Sequence, residues 1–122
     1  MDYIFCEERP KLVEVNRVNG QPIYTINTLV EETGDTEFPY KYLSFTLPQN
    51  TWSRNAIISG IVKLKYTSDD MDAIRNNYDL VRDGTAGDKT QEYTEEYLAM
   101  QAWRREAKEL ASEIINSKSN NI

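Results

Sequence analysis

The sequence predicts an α+β fold in which an N-terminal three-stranded antiparallel meander packs with a C-terminal three-helix unit. Two observations carry that prediction. As far as about residue 50, turn residues such as Asn19-Gly20 separate short runs rich in alternating apolar positions, the period of half-buried strands. Beyond Pro48-Gln49-Asn50 the apolar positions recur at spacings of three and four, the period of helix faces. With 122 residues, the chain has the length of a single domain, residues 1–122, in which residues 1–50 are β-rich and residues 51–122 helical.

In the β-rich half, Leu12, Val13, Val15 and Val18 precede Asn19-Gly20, and Ile23, Tyr24, Ile26 and Leu29 follow it. Asn-Gly between such runs predicts a hairpin, because both central residues of a type I′ turn need positive φ. Pro22 has no N–H to give to a ladder, which predicts an edge strand or a late start for the second run. After Glu31-Glu32-Thr33-Gly34-Asp35, Leu43, Phe45 and Leu47 alternate with Tyr42, Ser44 and Thr46. That pattern is a strand with its three apolar residues facing inward. Tyr3 to Cys6 is a candidate extension of the meander.

From Ser53 to Tyr66, Ile57, Ile58, Ile61, Val62 and Leu64 fit a helix face. Gly60 opposes that reading by about 1 kcal/mol, and Val62, Leu64 and Tyr66 also alternate as in a strand. Thr67-Ser68-Asp69-Asp70 then offers an N-cap and acids for the positive end of a helix presenting Met71, Ile74, Tyr78 and Leu80. A polar loop is expected over Arg82 to Asp88. The longest helix starts at Asp88 or Thr90, runs to about Ser117, and carries Tyr93, Tyr97, Met100, Trp103, Ala107, Leu110, Ala111 and Ile114 on one broad side. Ser117 to Ile122 is expected to fray.

The polar inventory turns the functional reading away from catalysis. The chain has no histidine and one cysteine among 20 carboxylates and 14 basic side chains. Histidine titrates near neutrality unaided and is the commonest metal ligand, so its absence counts against triads, zinc sites and ordinary acid/base pairs together. No catalytic residue, cofactor or metal ligand is expected. Asp69, Asp70 and Asp72 form the densest carboxylate group, but on a helix only 69 and 72 share a face, and a first-turn cap accounts for them. Gly84, Gly87 and Lys89 do not have phosphate-loop spacing, and Asp83 and Asp88 would repel phosphate.

Net charge is −6, which opposes sequence-independent binding to nucleic acid. Arg104-Arg105 with Lys108 is the one basic cluster on a helix, and Glu106, Glu109 and Glu113 around it predict a solvated mixed-charge face. Cys6 alone forms no intrachain disulfide and reads as a small buried hydrophobe. Neither a basic leader followed by an apolar run nor a stretch of 18 apolar residues occurs, so no membrane partner is expected and the chain reads as soluble and cytoplasmic when made.

Eight tyrosines and two tryptophans against three phenylalanines suit surfaces where a ring is buried at one end and wet at the other. On the long helix, Tyr93, Tyr97, Met100 and Trp103 are candidate interface residues, with packing on their own domain as the competing reading. Tyr40 and Tyr42 on the third strand are further candidates. A mean hydropathy of −0.67 suits an extended shape or a core completed by neighbouring subunits, and a homo-oligomer is expected.

KYTSDDMDAIRNNYDL (Lys65 to Leu80) followed by EEYLAMQAWRREAKELASEI (Glu95 to Ile114) resembles small structural and accessory proteins encoded among the tail and virion genes of tailed bacteriophages and prophages. The resemblance covers about half the chain and carries no catalytic motif. It implies a non-enzymatic structural or adaptor protein, partnered by other virion proteins and located in the virion after synthesis in the host cytoplasm. The alternative is a free cytoplasmic phage-encoded module that binds and inhibits a host protein.

The hairpin is open to a direct test. Gly20→Val places a β-branched residue at a positive φ and is expected to cost on the order of 1 kcal/mol or more, measured as a lower midpoint in thermal or urea unfolding.

Overall fold

A computed structural model describes residues 2–120 and joins a four-stranded antiparallel sheet to three helices. The strands are β1 (Ile4–Cys6), β2 (Val13–Val18), β3 (Gln21–Glu32) and β4 (Tyr40–Thr46); the helices are α1 (Arg54–Lys63), α2 (Ser68–Arg82) and α3 (Thr90–Asn120). Sheet order is β1-β4-β3-β2. The three-stranded meander is therefore corrected to four strands, its candidate extension forming β1, in which Ile4–Cys6 pairs with Tyr42, Lys41 and Tyr40 of β4. A three-residue strand is too short to show a period, and its pairing is non-local.

The hairpin forms around Asn19 (φ 54°) and Gly20 (φ 80°), closed by the pair Val18 and Gln21. Pro22 follows in β3, which lies inside the sheet and not at its edge. Opposite Arg17, Pro22 occupies a position whose N–H would point away from β2. On that side the β3–β4 pairing begins only at Thr25 and Thr46, so no ladder bond is lost. The Pro22 carbonyl points the same way and accepts from the backbone N–H of Asn50, at 2.7 Å. Further along β3, the register with β4 shifts between Thr28 and Glu31, where Leu29 has φ 53°. One extra residue on β3 makes this a β-bulge.

The N-cap expected within Thr67 to Asp70 forms at α2, and a second one, not among the expected features, forms at α1. Ser53 caps α1 by accepting from the N–H of Ala56. Thr67 and Asp70 form a capping box at the start of α2, with Thr67 Oγ1 accepting from the Asp70 N–H at 3.1 Å and Asp70 Oδ2 from the Thr67 N–H at 3.0 Å. Helix α1 stops at Lys63, and the N–H groups of Lys65 and Tyr66 both reach the Val62 carbonyl, so the alternation of Val62, Leu64 and Tyr66 belongs to a helix end.

The core joins Ile26 and Leu47 of the sheet side to Ile57, Ile61 and Val62 of α1 and to Trp103, Ala107, Ala111 and Ile114 of α3. Leu43 and Leu47 are buried and Phe45 packs against the cluster, the inward set the alternation predicts. Ala107 and Ala111 are fully buried, small enough to let α3 lie close to its neighbours. Helix α3 runs through Asn120, past the end expected at about Ser117; Asn121 and Ile122 lie outside the described residues. The ammonium of Lys118 sits 4.0 Å from the Trp52 ring centroid and 4.3 Å from that of Tyr24, and this cation–π contact ties the last turns to the sheet.

Gly60 has a partner that its helix propensity conceals. A Cβ built on it would lie 2.2 to 2.9 Å from three atoms of the Phe45 ring, far inside van der Waals contact. Gly60→Ala gains about 1 kcal/mol of helix propensity and is still expected to destabilise by about 1–3 kcal/mol through overpacking. Combining it with Phe45→Leu should recover part of the loss, and chemical denaturation of both singles and the double measures that coupling.

Candidate functional site

Helix α2 and the first half of α3 form an arm that the rest of the molecule covers only in part, Met71 near the start of α2 packing against the core cluster. No residue of α2 is buried. Its inward side, Met71, Ile74, Tyr78 and Val81, is half-buried, and Leu80, assigned from sequence to that side, is 42% exposed. On α3 the first fully buried residue is Met100. Before it, Tyr93 and Tyr97 are half-buried and Leu98 is 57% exposed.

Within the arm, the Tyr78 and Tyr97 rings stack with centroids 4.0 Å apart and planes 4° from parallel. The Arg82 guanidinium lies 5.7 Å from the Tyr78 centroid and bonds Asp79, which raises its pKa above the ordinary arginine value. At the turn into α3, Lys89 meets Glu92 at 3.1 Å. Hydrogen bonding and the adjacent charge of Glu92 hold the Lys89 pKa above the usual lysine value. A raised lysine pKa favours the fold at neutral pH, and that contribution fades only as alkaline pH passes the raised value. Both pairs are solvent-exposed and serve local order more than global stability.

The six residues singled out from sequence fall into three environments. Met100 is fully buried and Trp103 nearly so, and the Trp103 Nε1–H donates to the Val62 carbonyl at 3.3 Å. This corrects their reading as contact residues: both are core, and the indole proton is already used. Tyr93 and Tyr97 stay on the arm with one side wet. Tyr40 and Tyr42 alternate with buried Leu43 and so lie on the sheet face away from the core. Both are half-buried, and Ile4, opposite Tyr42, is 44% exposed on that same face.

No family model, curated protein or solved structure matches this chain.

Chemistry-bearing groups stay apart. Asp70 is committed to its capping box, Asp72 lies 3.8 Å from Arg75, and no group of three His, Cys, Asp or Glu residues able to hold a metal comes together among the described residues. Cys6 is half-buried on the outermost strand, its thiol donating to the Glu8 carbonyl at 2.9 Å, and so is less enclosed than the small buried hydrophobe that the sequence predicts. No helix among the described residues is long and apolar enough to cross a membrane.

Burial separates the two kinds of aromatic. Met100→Ala and Trp103→Ala are expected to cost about 2–5 kcal/mol of folding stability. Tyr97→Ala should cost less, and a double-mutant cycle with Tyr78→Ala should return a coupling of about 0.5–1.5 kcal/mol from the stacked pair. Urea unfolding of the four variants and the double checks both statements.

Proposed function

We propose that the protein is a non-enzymatic structural or adaptor component of a tailed-phage particle, made in the host cytoplasm and working through protein–protein contacts in a multi-copy assembly. One observation carries the proposal: the α2–α3 arm has an amphipathic helix with no buried residue, exposing Leu80 and Leu98 beside half-buried tyrosines. A two-helix layer leaves part of each apolar side without a third element to cover it. Exposed leucines beside wet aromatic rings are the kind of surface that partner proteins cover. The resemblance of Lys65 to Leu80 and Glu95 to Ile114 to phage accessory proteins supports the setting, and both segments contribute to the arm.

Mass spectrometry of purified particles, together with sedimentation at rising protein concentration, tests the reading. The expected result is recovery of this chain in several copies per particle. Leu98→Glu should leave the unfolding free energy within about 0.5 kcal/mol of wild type, as an exposed substitution does, while reducing incorporation. Absence from particles, with a monomer at every concentration that binds a host protein, would support the inhibitor reading instead.

A further inference from the structure

Fold and charge converge in one place that the sequence disguises. Arg54 and Lys63 from α1, Arg75 from α2, and Arg104 and Lys108 from α3 line a groove of about 600 Å³. Five of the fourteen bases of a chain with net charge −6 thus meet across three helices, and no carboxylate is among the residues lining the groove. The glutamates between and after the α3 bases do not spoil this arrangement. At about 100° per residue, positions 104 and 108 share a helix face that Glu106 leaves.

Among the described residues, Arg54, Lys63, Arg104 and Lys108 have no carboxylate within 4.0 Å, and Arg75 has only the exposed Asp72 at 3.8 Å. Arg54 reaches across to α3, its Nη2 lying 3.4 Å from the Lys108 carbonyl and 3.4 Å from Ser112 Oγ. Those long contacts fix its position without neutralising it. Beneath the charges, Ile58, Val62 and Met71 supply an apolar floor.

From this juxtaposition we infer that the groove docks an acidic, amphipathic segment of a partner protein. Carboxylates of the segment meet the five bases, and an apolar side chain rests on Ile58, Val62 and Met71. Charge complementarity selects an anionic partner, and the floor distinguishes a protein segment from a phosphate backbone, which has no apolar group to place there. The acidic balance of the rest of the chain likewise repels a long polyanion. The inference deepens the reading of the chain as a protein-contact module and adds a second contact place, apart from Leu80 and Leu98.

The probe is a synthetic helical peptide with glutamate on one face and leucine on the other, compared with a scrambled peptide of the same composition, inorganic phosphate and duplex DNA. Fluorescence anisotropy reads affinity at low salt and at about 0.15 M salt. Wild type is expected to prefer the amphipathic peptide, with backbone amide shifts in a nitrogen-15 spectrum confined to α1, the start of α2 and the middle of α3. Arg104→Glu/Lys108→Glu should weaken binding by about tenfold or more, whereas Arg9→Glu/Lys11→Glu, an equal charge change elsewhere, should not. Arg104→Gln/Lys108→Gln, which keeps good helix formers, should also weaken binding and so provides the test if charge reversal unfolds the chain. Equal affinity for groove and control variants, no binding by wild type at low salt, or tighter binding to phosphate, scrambled peptide or DNA would overturn the inference. Groove binding by a chain absent from particles would defeat the virion reading alone; incorporation that depends on Leu98, with no groove binding, would defeat the groove alone.

Discussion

The reach of α3 governs the architecture. Its 31 residues extend about 46 Å, but only the stretch from Trp103 onward joins the cluster that includes Ile26 and Leu47. There, Ala107 and Ala111 bring the helix close, Ile114 fills the interior, and Lys118 closes over Tyr24 and Trp52. The helix is thus anchored through its second half and cantilevered through its first. α2 follows that projecting half and meets the core chiefly near its start, where Met71 packs against the cluster, which explains why a helix with a good cap and an apolar stripe buries nothing completely. Met100 marks the changeover, buried but outside the cluster that contains Ile26.

Features encoded within a few residues are legible in the amino-acid sequence. Asn19-Gly20 requires positive φ at both positions and adopts it. Thr67 caps the helix it precedes, and Leu43 and Leu47 turn inward as their alternation requires. In each case the decisive interaction is local: a side chain reaching a backbone N–H three residues on, or a pleat that sends alternate residues to one face.

Features that depend on distant partners are not legible in the same way. Tyr3 to Cys6 reads only as a candidate extension of the meander, and Ile4–Cys6 becomes a strand because β4 is there to pair with it. Pro22 sits in an interior strand because the β4 pairing starts at Thr25 and Asn50 supplies its carbonyl with a donor. Leu29 carries no residue-type signal for its positive φ; the bulge that imposes it is a property of two strands. Trp103 reads equally as anchor or core until Val62 is seen to take its N–H. The basic groove is hidden for the same reason: along α3 its arginine and lysine alternate with glutamates, and the complementary bases stand on α1 and α2, far away in sequence.

The candidate contact places have different physics, and that difference bears on assembly. The arm offers apolar and aromatic surface, whose association strengthens with buried area and responds weakly to salt. The groove offers unpaired positive charge, which accelerates and orients encounter but is screened beyond about 8 Å at physiological ionic strength. A chain equipped with both can take its orientation from charge and its persistence from apolar burial.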